Sequence, residues 1–519
     1  MSGTTPGALY ELVNRGQKDL YFISEKGISP FSATYEKQPA RLAETRRQVS
    51  TNYPAFGRSL EFEIDFFGDI LTDAALIVEL PSLLPPQLPL TASSGLVPAA
   101  DSLAVNYFHD NSGITYGYTS GAAYYLFERI QLFQDKILIQ DFTGDSLLAY
   151  ESTTGSYGSG RLSERIGGIY DESDPKQISR SMVPFSQTNS GLRVKLPFPG
   201  CQGAGDGGFP ICTLRESGSS IWRLKLTMRK LEDILIAYDS SGILVRGAAR
   251  FPFNKTLYAT DINGIDISCT CLQKETLKLN ILLETTQLYI EKETISKMQQ
   301  DVQEIPFLMF YDQDQSYGPI DYAPVDRGSN AYGQIQIDGR HPTHRLIFFY
   351  RLKLDLENGR RNPHLTLFES MKFIIAGKDR ENEWPSEIWN EIYNYYKNDR
   401  ESTYSYGNYY YHMNWSLGSQ FDNNSVAGER RPRTMQPEGS INLSSADRPT
   451  LAFNLANLFV NDDNNIVTQT TQYSCEYQTY NTENPITDNQ LRYVDLKVCS
   501  QSWATYVLEN GRARLMFHN

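Results

Sequence analysis

Residues 60–80, LEFEIDFFGDILTDAALIVEL, limit what this chain can fold into more than any other stretch. Leu60, Phe62, Ile64 and Phe66 alternate with Glu61, Glu63 and Asp65. A period of two puts one face of an extended strand into a core and leaves the other in water. Gly68-Asp69 interrupts the run, and a second β-rich run, Ile70 to Leu80, stops at Pro81. A half-buried strand, a tight reversal and a more deeply buried strand predict an antiparallel β-sandwich.

At 519 residues the chain has room for two or three domains, each with its own core. A net charge of −13 argues against a protein that coats nucleic acid, because phosphate binding needs a basic surface. Tyr (33) outnumbers Phe (25), a composition suited to strands and to contact surfaces that are part apolar and part wet. With no N-terminal apolar segment and no long apolar run, neither a secretory signal nor a transmembrane helix is predicted. The six cysteines (201, 212, 269, 271, 475 and 499) form no Cys-x-x-Cys and are read as reduced core thiols of a protein folded in cytosol. On that reading the sequons at Asn254 and Asn414 go unused.

Residues 1–58 carry eight Lys/Arg against five Asp/Glu, a locally basic arm on an acidic chain. It reads either as a solvated arm or as one lying against an acidic or lipid surface. Three long loops are predicted, at 83–120, 152–182 and 378–435. Between them, Leu126–Phe133 alternates as a strand, Gln134-Asp135 turns, Lys136–Ile139 returns, and a helix is expected over Gly144–Tyr150. Further strands are expected at Leu224–Leu226 and Leu277–Ile290, then a short helix at Ser296–Gln300 and a boundary between two halves near residue 300. In the second half, Leu346–Tyr350 and Leu367–Arg380 read as strands. Ser386 is placed to cap a helix bearing Ile388, Trp389, Ile392, Tyr393 and Tyr396.

Several motifs that would carry chemistry fail on their own terms. Gly203-x-Gly205-x-x-Gly208 spells a dinucleotide fingerprint, but Pro210 follows at once and no βαβ unit surrounds it. Asp312-x-Asp314-x-Ser316-x-Gly318 resembles a calcium loop, with its glycine one place late and Ala323 where a bidentate Glu is required. His341 and His344 have no further His or Cys at ligand spacing and are assigned to the edge of a strand instead of a zinc site. Glu61, Glu63 and Asp65 share a strand face, the feature a carbohydrate-active β-sandwich would use for paired carboxylates; a solvated charged face explains them more simply. The expectation is no catalytic, cofactor-binding or metal-binding residue, and so no enzyme.

A set of short motifs in chain order resembles the major capsid proteins of nucleocytoplasmic large DNA viruses, the group of phycodnaviruses, iridoviruses and African swine fever virus. The turn Gly68-Asp-Ile-Leu-Thr-Asp73 is similar to that family's "GD-hydrophobic-hydrophobic-x-D". Met435–Leu455 resembles its "QPSG-x-x-N-hydrophobic-SR" segment through Gln436, Pro437, Gly439, Asn442 and Ser444, while Glu438 and Ser445 replace the usual Ser and Arg. Further resemblances fall at 18–35, 124–150, 341–350, 367–380 and 503–519.

The resemblance implies an all-β fold: two tandem eight-stranded jelly rolls with long loop insertions and a few short helices. The arm would then be 1–58, the first jelly roll 59–300 and the second 301–519. It further implies a homotrimeric, pseudo-hexagonal capsomer of an icosahedral shell, touching neighbouring capsomers and minor capsid proteins. The arm would face an internal viral membrane, nucleic acid would not be bound directly, and assembly would take place in the host cytoplasm. The alternatives are a carbohydrate-active β-sandwich enzyme and a jelly-roll scaffold that does not remain in the virion.

Overall fold

In the computed structural model the strand Ser59–Glu63 buries Leu60 and Phe62 completely and exposes Ser59, Glu61 and Glu63, the register its alternation requires. The chain divides into two units, Met1–Arg41 and Leu42–Asn519, and the fold is that of the second. The residues described are 41–89, 96–98, 107–154, 165–172, 174–183, 191–202, 208–215, 221–242, 244–260, 266–317, 323–324, 332–339, 342–363, 368–385, 388–389, 410–415, 421–422, 431–432, 439–455, 458–460, 465–468, 479–481, 493–509 and 512–516.

Among the described residues, sixteen strands form the main paths of the four principal sheets, with shorter strands and small two- to four-stranded sheets beside them. In the first half they are β1 (Arg41–Val49), β2 (Ser59–Glu63), β3 (Ile70–Glu79), β4 (Phe127–Gln134), β5 (Ile137–Phe142), β6 (Leu192–Lys195), β7 (Trp222–Met228) and β8 (Asn280–Ile290). They pair as β1-β8-β3-β6 and β2-β7-β4-β5. In the second half they are β9 (Gln303–Tyr317), β10 (Tyr332–Gln336), β11 (Pro342–Leu352), β12 (Phe368–Ile375), β13 (Lys378–Pro385), β14 (Tyr411–Asn414), β15 (Thr450–Leu455) and β16 (Val494–Glu509). Their orders are β9-β16-β11-β14 and β10-β15-β12-β13. Counted from the start of each half, both follow the same pattern: first-eighth-third-sixth in one sheet and second-seventh-fourth-fifth in the other. Strands adjacent in sequence mostly sit in opposite sheets, which is the jelly-roll winding. A helix, α1 (Lys292–Gln300), joins the halves.

The tight reversal expected at Gly68-Asp69 is instead a crossing from one sheet to the other, since β2 and β3 belong to different sheets. Gln287 of β8, fully buried, holds it. Its Oε1 accepts from the amides of Phe67 (2.9 Å) and Gly68 (2.7 Å), and its Nε2 donates to the Asp65 carbonyl (2.7 Å). A Cβ on residue 68 would lie 2.7 Å from that of Gln287, so only glycine lets the chain pass. The Asp135-Lys136 turn between β4 and β5 does reverse tightly, with Asp135 at φ 53°.

The predicted long loops are more ordered than expected. Thr115–Tyr118, inside 83–120, pairs with Leu235–Tyr238. Within 152–182, the helix expected at Gly144 runs on to Thr154 and a second helix spans Pro175–Ser181. Within 378–435, β13 and β14 are strands. Burial of Tyr116, Tyr118 and Ile178 fixes these pieces where composition alone suggested solvent. In the Tyr-rich residues 404–411, Tyr410 and Tyr411 are buried; the others, and most of the helix expected after Ser386, lie outside the described residues, as do 1–40 and Cys475. The five described cysteines are all buried and form no disulfide with one another.

The buried face of β2 is a direct test of register. Phe62→Asp should bury an unpaired carboxylate and cost at least about 4 kcal/mol, giving insoluble protein, whereas Glu63→Gln should leave the denaturation midpoint within error of wild type.

Candidate functional site

The two central strands of the sheet β9-β16-β11-β14, β16 and β11, are buried on both faces, whereas β9 is buried only at Phe307, Leu308 and Phe310. Every residue of β11 from Thr343 to Leu352 is buried, so the run reads as continuous rather than alternating. Alternation persists in what each face meets. Leu346, Phe348, Tyr350 and Leu352 enter the second half's own core, together with Leu496 and Val498 of β16. Ile347, Phe349 and Cys499 join the core of the first half instead. Phe310 of β9 packs edge-on against Phe142 (5.1 Å) and Tyr150 (5.3 Å), and Tyr506 against Phe209 (5.3 Å).

Charged groups sit among these apolar contacts. Asp145, at the start of the Gly144–Thr154 helix and 2% exposed, accepts from Arg351 of β11 (2.5 Å) and from Arg229 just after β7 (2.8 Å). Arg351 also reaches Asp495 of β16 (3.3 Å). Lys497 lies 3.3 Å from Asp314 and 3.8 Å from Asp312, and Asp312 accepts from Thr143 of the first half (2.6 Å). Burial opposes ionisation of Asp145, but Arg229, Arg351, Lys497 and Arg361 outweigh it and hold the carboxyl well below its usual range. Asp495 moves the other way: its own burial raises it, only partly offset by Arg351.

A second polar cluster lies nearby. Glu172 Oε1 accepts from Thr119 Oγ1 (2.9 Å), the Ser120 amide (2.7 Å) and Asn362 Nδ2 (3.0 Å), and Oε2 lies 3.1 Å from Arg360 Nε. Tyr125 of the first half donates to Asn362 Oδ1 (3.0 Å) and meets the Tyr410 hydroxyl at 2.9 Å. Gly359 (φ +85°) lets the segment carrying Arg360 and Asn362 approach, because a Cβ there would run into the Leu235 carbonyl. On the far side Gln202 pairs with Leu308 as a strand would, amide to Oε1 and Nε2 to carbonyl, both 2.7 Å.

None of the motifs considered from sequence assembles into a reactive site. Asp312 and Asp314 lie on a strand with Lys497 between them, not on a calcium loop. His344 is buried inside β11, an interior strand, and packs on Trp503 at 5.5 Å rather than marking a strand edge; His341 lies outside the described residues. Glu61, Glu63 and Asp65 are exposed, and Glu63 faces Arg223 at 3.5 Å. A cleft of about 500 Å3 opens between β5 and β9, but the carboxylate of Asp141 on its wall is held bidentately by Arg129 (3.0 and 2.6 Å). Among the described residues no group of three or more His, Cys, Asp or Glu is placed to hold a metal, and no helix is long and apolar enough to cross a membrane. Of the fingerprint glycines only Gly208 is described. The residues that organise the molecule, Asp145, Glu172, Arg351 and Lys497, went unremarked in the sequence. Asp145 was visible only as an acidic residue at a predicted helix start.

No family model matches the chain. It is 25% identical over 201 residues to probable capsid protein 4 of Acanthamoeba polyphaga mimivirus, a match spanning 37% of this chain and 35% of that protein, about a third of the relative's length. Among solved structures it is similar to the PBCV-1 virus capsid protein in a quasi-atomic capsid model (TM-score 0.61, 12% identity, 95% of this chain and 100% of that one). It is similar also to PBCV-1 VP54 fitted into a reconstruction of the virophage Sputnik (0.58, 13%, 95% and 100%). A third likeness is to the Faustovirus major capsid protein (0.51, 11%, 95% and 94%). The structural neighbours are major capsid proteins, and the fold they share with this chain is the double jelly roll.

Two outcomes follow from the seam. Asp145→Ala strands two buried guanidinium groups and should cost about 3–5 kcal/mol, read as a lowered urea midpoint. His344 provides a pH test. Burial, with Arg345 adding to it, lowers its imidazole to about 4, so the unfolded chain binds a proton that the folded one excludes. Its contribution is complete above the ordinary value of 6.5 and is lost as the pH falls toward 4, about 3 kcal/mol in all; His344→Gln should flatten that part of the stability–pH curve.

Proposed function

We propose that this chain is a major capsid protein of a large double-stranded DNA virus, and that its work is assembly rather than turnover. One observation carries the reading. The same eight-strand order occurs twice in tandem, and a buried ionic seam fixes one copy against the other, so each chain presents two similar blocks in a set relation. Three such chains closed about a threefold axis give six similar corners, a pseudo-hexagonal tile. The capsid-protein fold of the structural neighbours and the partial match to a mimivirus capsid protein support this reading.

The domain plan that accompanies it is an arm (1–58), whose residues Arg41–Val49 add the outer strand β1 to the first sheet, then a first jelly roll (59–300) and a second (301–519). In this reading no residue is catalytic, cofactor-binding or metal-binding. The partners are two further copies, neighbouring capsomers and minor capsid proteins, with the basic arm turned to an internal membrane and no direct contact to nucleic acid. The protein is made and assembled in the host cytoplasm and resides in the shell of the virion.

Light scattering of the purified protein should give the mass of three chains, and negative-stain images should show a six-cornered outline; a monodisperse monomer at micromolar concentration would overturn the capsomer. Deleting residues 1–16 should leave trimers melting as before while retention on anionic liposomes drops. Trimers that fall apart on this deletion would place the arm in the capsomer core.

A further inference from the structure

Strand β1 lies at the outside of its sheet, with β8 on one side and, among the described residues, no strand on the other. It is nine residues long and seven of them are exposed. An open edge of this length presents a row of backbone donors and acceptors, and proteins usually blunt such edges with unpaired charged side chains, a proline, a bulge or a covering loop. RLAETRRQV contains no proline, and its side chains are tied down along the strand. Thr45 meets Thr286 of β8 at 2.9 Å and Arg47 reaches Glu284 at 2.8 Å, which also sets the two strands antiparallel. Glu44 accepts from Tyr289 (2.9 Å) and from Arg46 (2.6 Å), and the Arg46 guanidinium lies 4.3 Å over the Phe67 ring. The strand is thus held ready, and its backbone edge is what it has left to offer.

We infer that this edge pairs with β1 of a second copy, antiparallel, about a two-fold axis through Thr45. Charge chooses both the occupant and the register. A two-fold axis normal to a sheet keeps each side chain on its own face, so only residues of the same parity come opposite one another. Centred on Thr45, each Glu44 faces the partner's Arg46, and Ala43 leaves room for the partner's Arg47. Centred on Glu44, two carboxylates meet head-on; centred on Arg46, two guanidinium groups do. Directly opposed like charges destabilise a strand pair and opposite charges favour it, so one central register is selected against its neighbours. An isologous two-fold contact cannot lie inside a threefold ring, so this edge would join one capsomer to the next. The inference goes beyond the capsomer reading and does not need it.

The test uses the full-length chain. Thr45→Cys brings two thiols together at the axis, within the Cα separation that a disulfide spans. Ala43→Cys places its thiols about 13 Å apart along the paired strands. Mild oxidation should therefore give a covalent dimer from Thr45→Cys, well above the wild-type background, and little from Ala43→Cys. In sedimentation, Glu44→Arg or Arg46→Glu alone should weaken self-association by about tenfold or more, and the double exchange Glu44→Arg with Arg46→Glu should restore it. Equal cross-linking at positions 43 and 45, no dimer above background, or single exchanges without effect would overturn the inference. So would a disulfide from the thiol introduced by Thr45→Cys to a native cysteine of its own chain, which would put another segment on this edge. A protein that is monomeric by light scattering yet gives the Thr45→Cys dimer would sink the capsomer and keep the edge contact; a trimer without that dimer would do the reverse.

Discussion

A sheet whose central strands have no wet face is the constraint on which the rest of this structure depends. β16 and β11 are covered on one side by the second jelly roll's own partner sheet and on the other by the first jelly roll. Apolar burial on both faces supplies the driving force, and the aromatic contacts of Phe310 and Tyr506 give it shape. Double coverage also desolvates polar groups at the centre of the sheet, Arg351 and Lys497 among them. Arg351, Asp495 and Lys497 can be there only because Asp145, Asp312 and Asp314 meet them.

The net stabilisation from such a seam is small, since desolvating the ions offsets most of their attraction. Its consequence is geometric. A purely apolar contact between two sandwiches tolerates sliding and rotation, whereas a carboxylate held by two guanidinium groups from different elements does not. Asp145 takes one from each half, Arg229 and Arg351, and Glu172 with Asn362 and Tyr125 fixes the contact at a second place. On the capsid reading proposed above, two blocks locked in one orientation would suit a repeating tile, because an angular error within each chain would recur at every corner of a shell.

The glutamines show the same economy at smaller scale. Gln287 satisfies the backbone where the chain crosses between sheets, and Gln202 completes β9 at Leu308 where a further strand would otherwise pair. Both place an amide where a backbone group is missing, so β9 is closed on its inner side at that point. β1, the outermost strand of the first sheet, has no such cover among the described residues.

By itself the sequence determined the elements whose signal is local. Alternation at Leu60–Ile64 fixed which face of β2 is buried, because side chains in a strand point to opposite sides in turn. The turn after β4, expected at Gln134-Asp135 and found at Asp135-Lys136, the helix starting at Gly144 and the helix ending at Gln300 were legible for the same reason. The short motifs in chain order carried the fold class, and none of them spelled a reactive site. Tertiary structure alone decided the rest. Whether Gly68 reverses the chain or carries it to another sheet depends on Gln287, more than two hundred residues away. Residues 83–120 and 152–182 looked solvated because polar composition cannot reveal that Thr115–Tyr118 finds a strand partner or that Glu172 finds Arg360. Asp145, Arg351 and Lys497 look in the sequence like any charged surface residues; only the meeting of two sheets makes them the groups that hold the halves together.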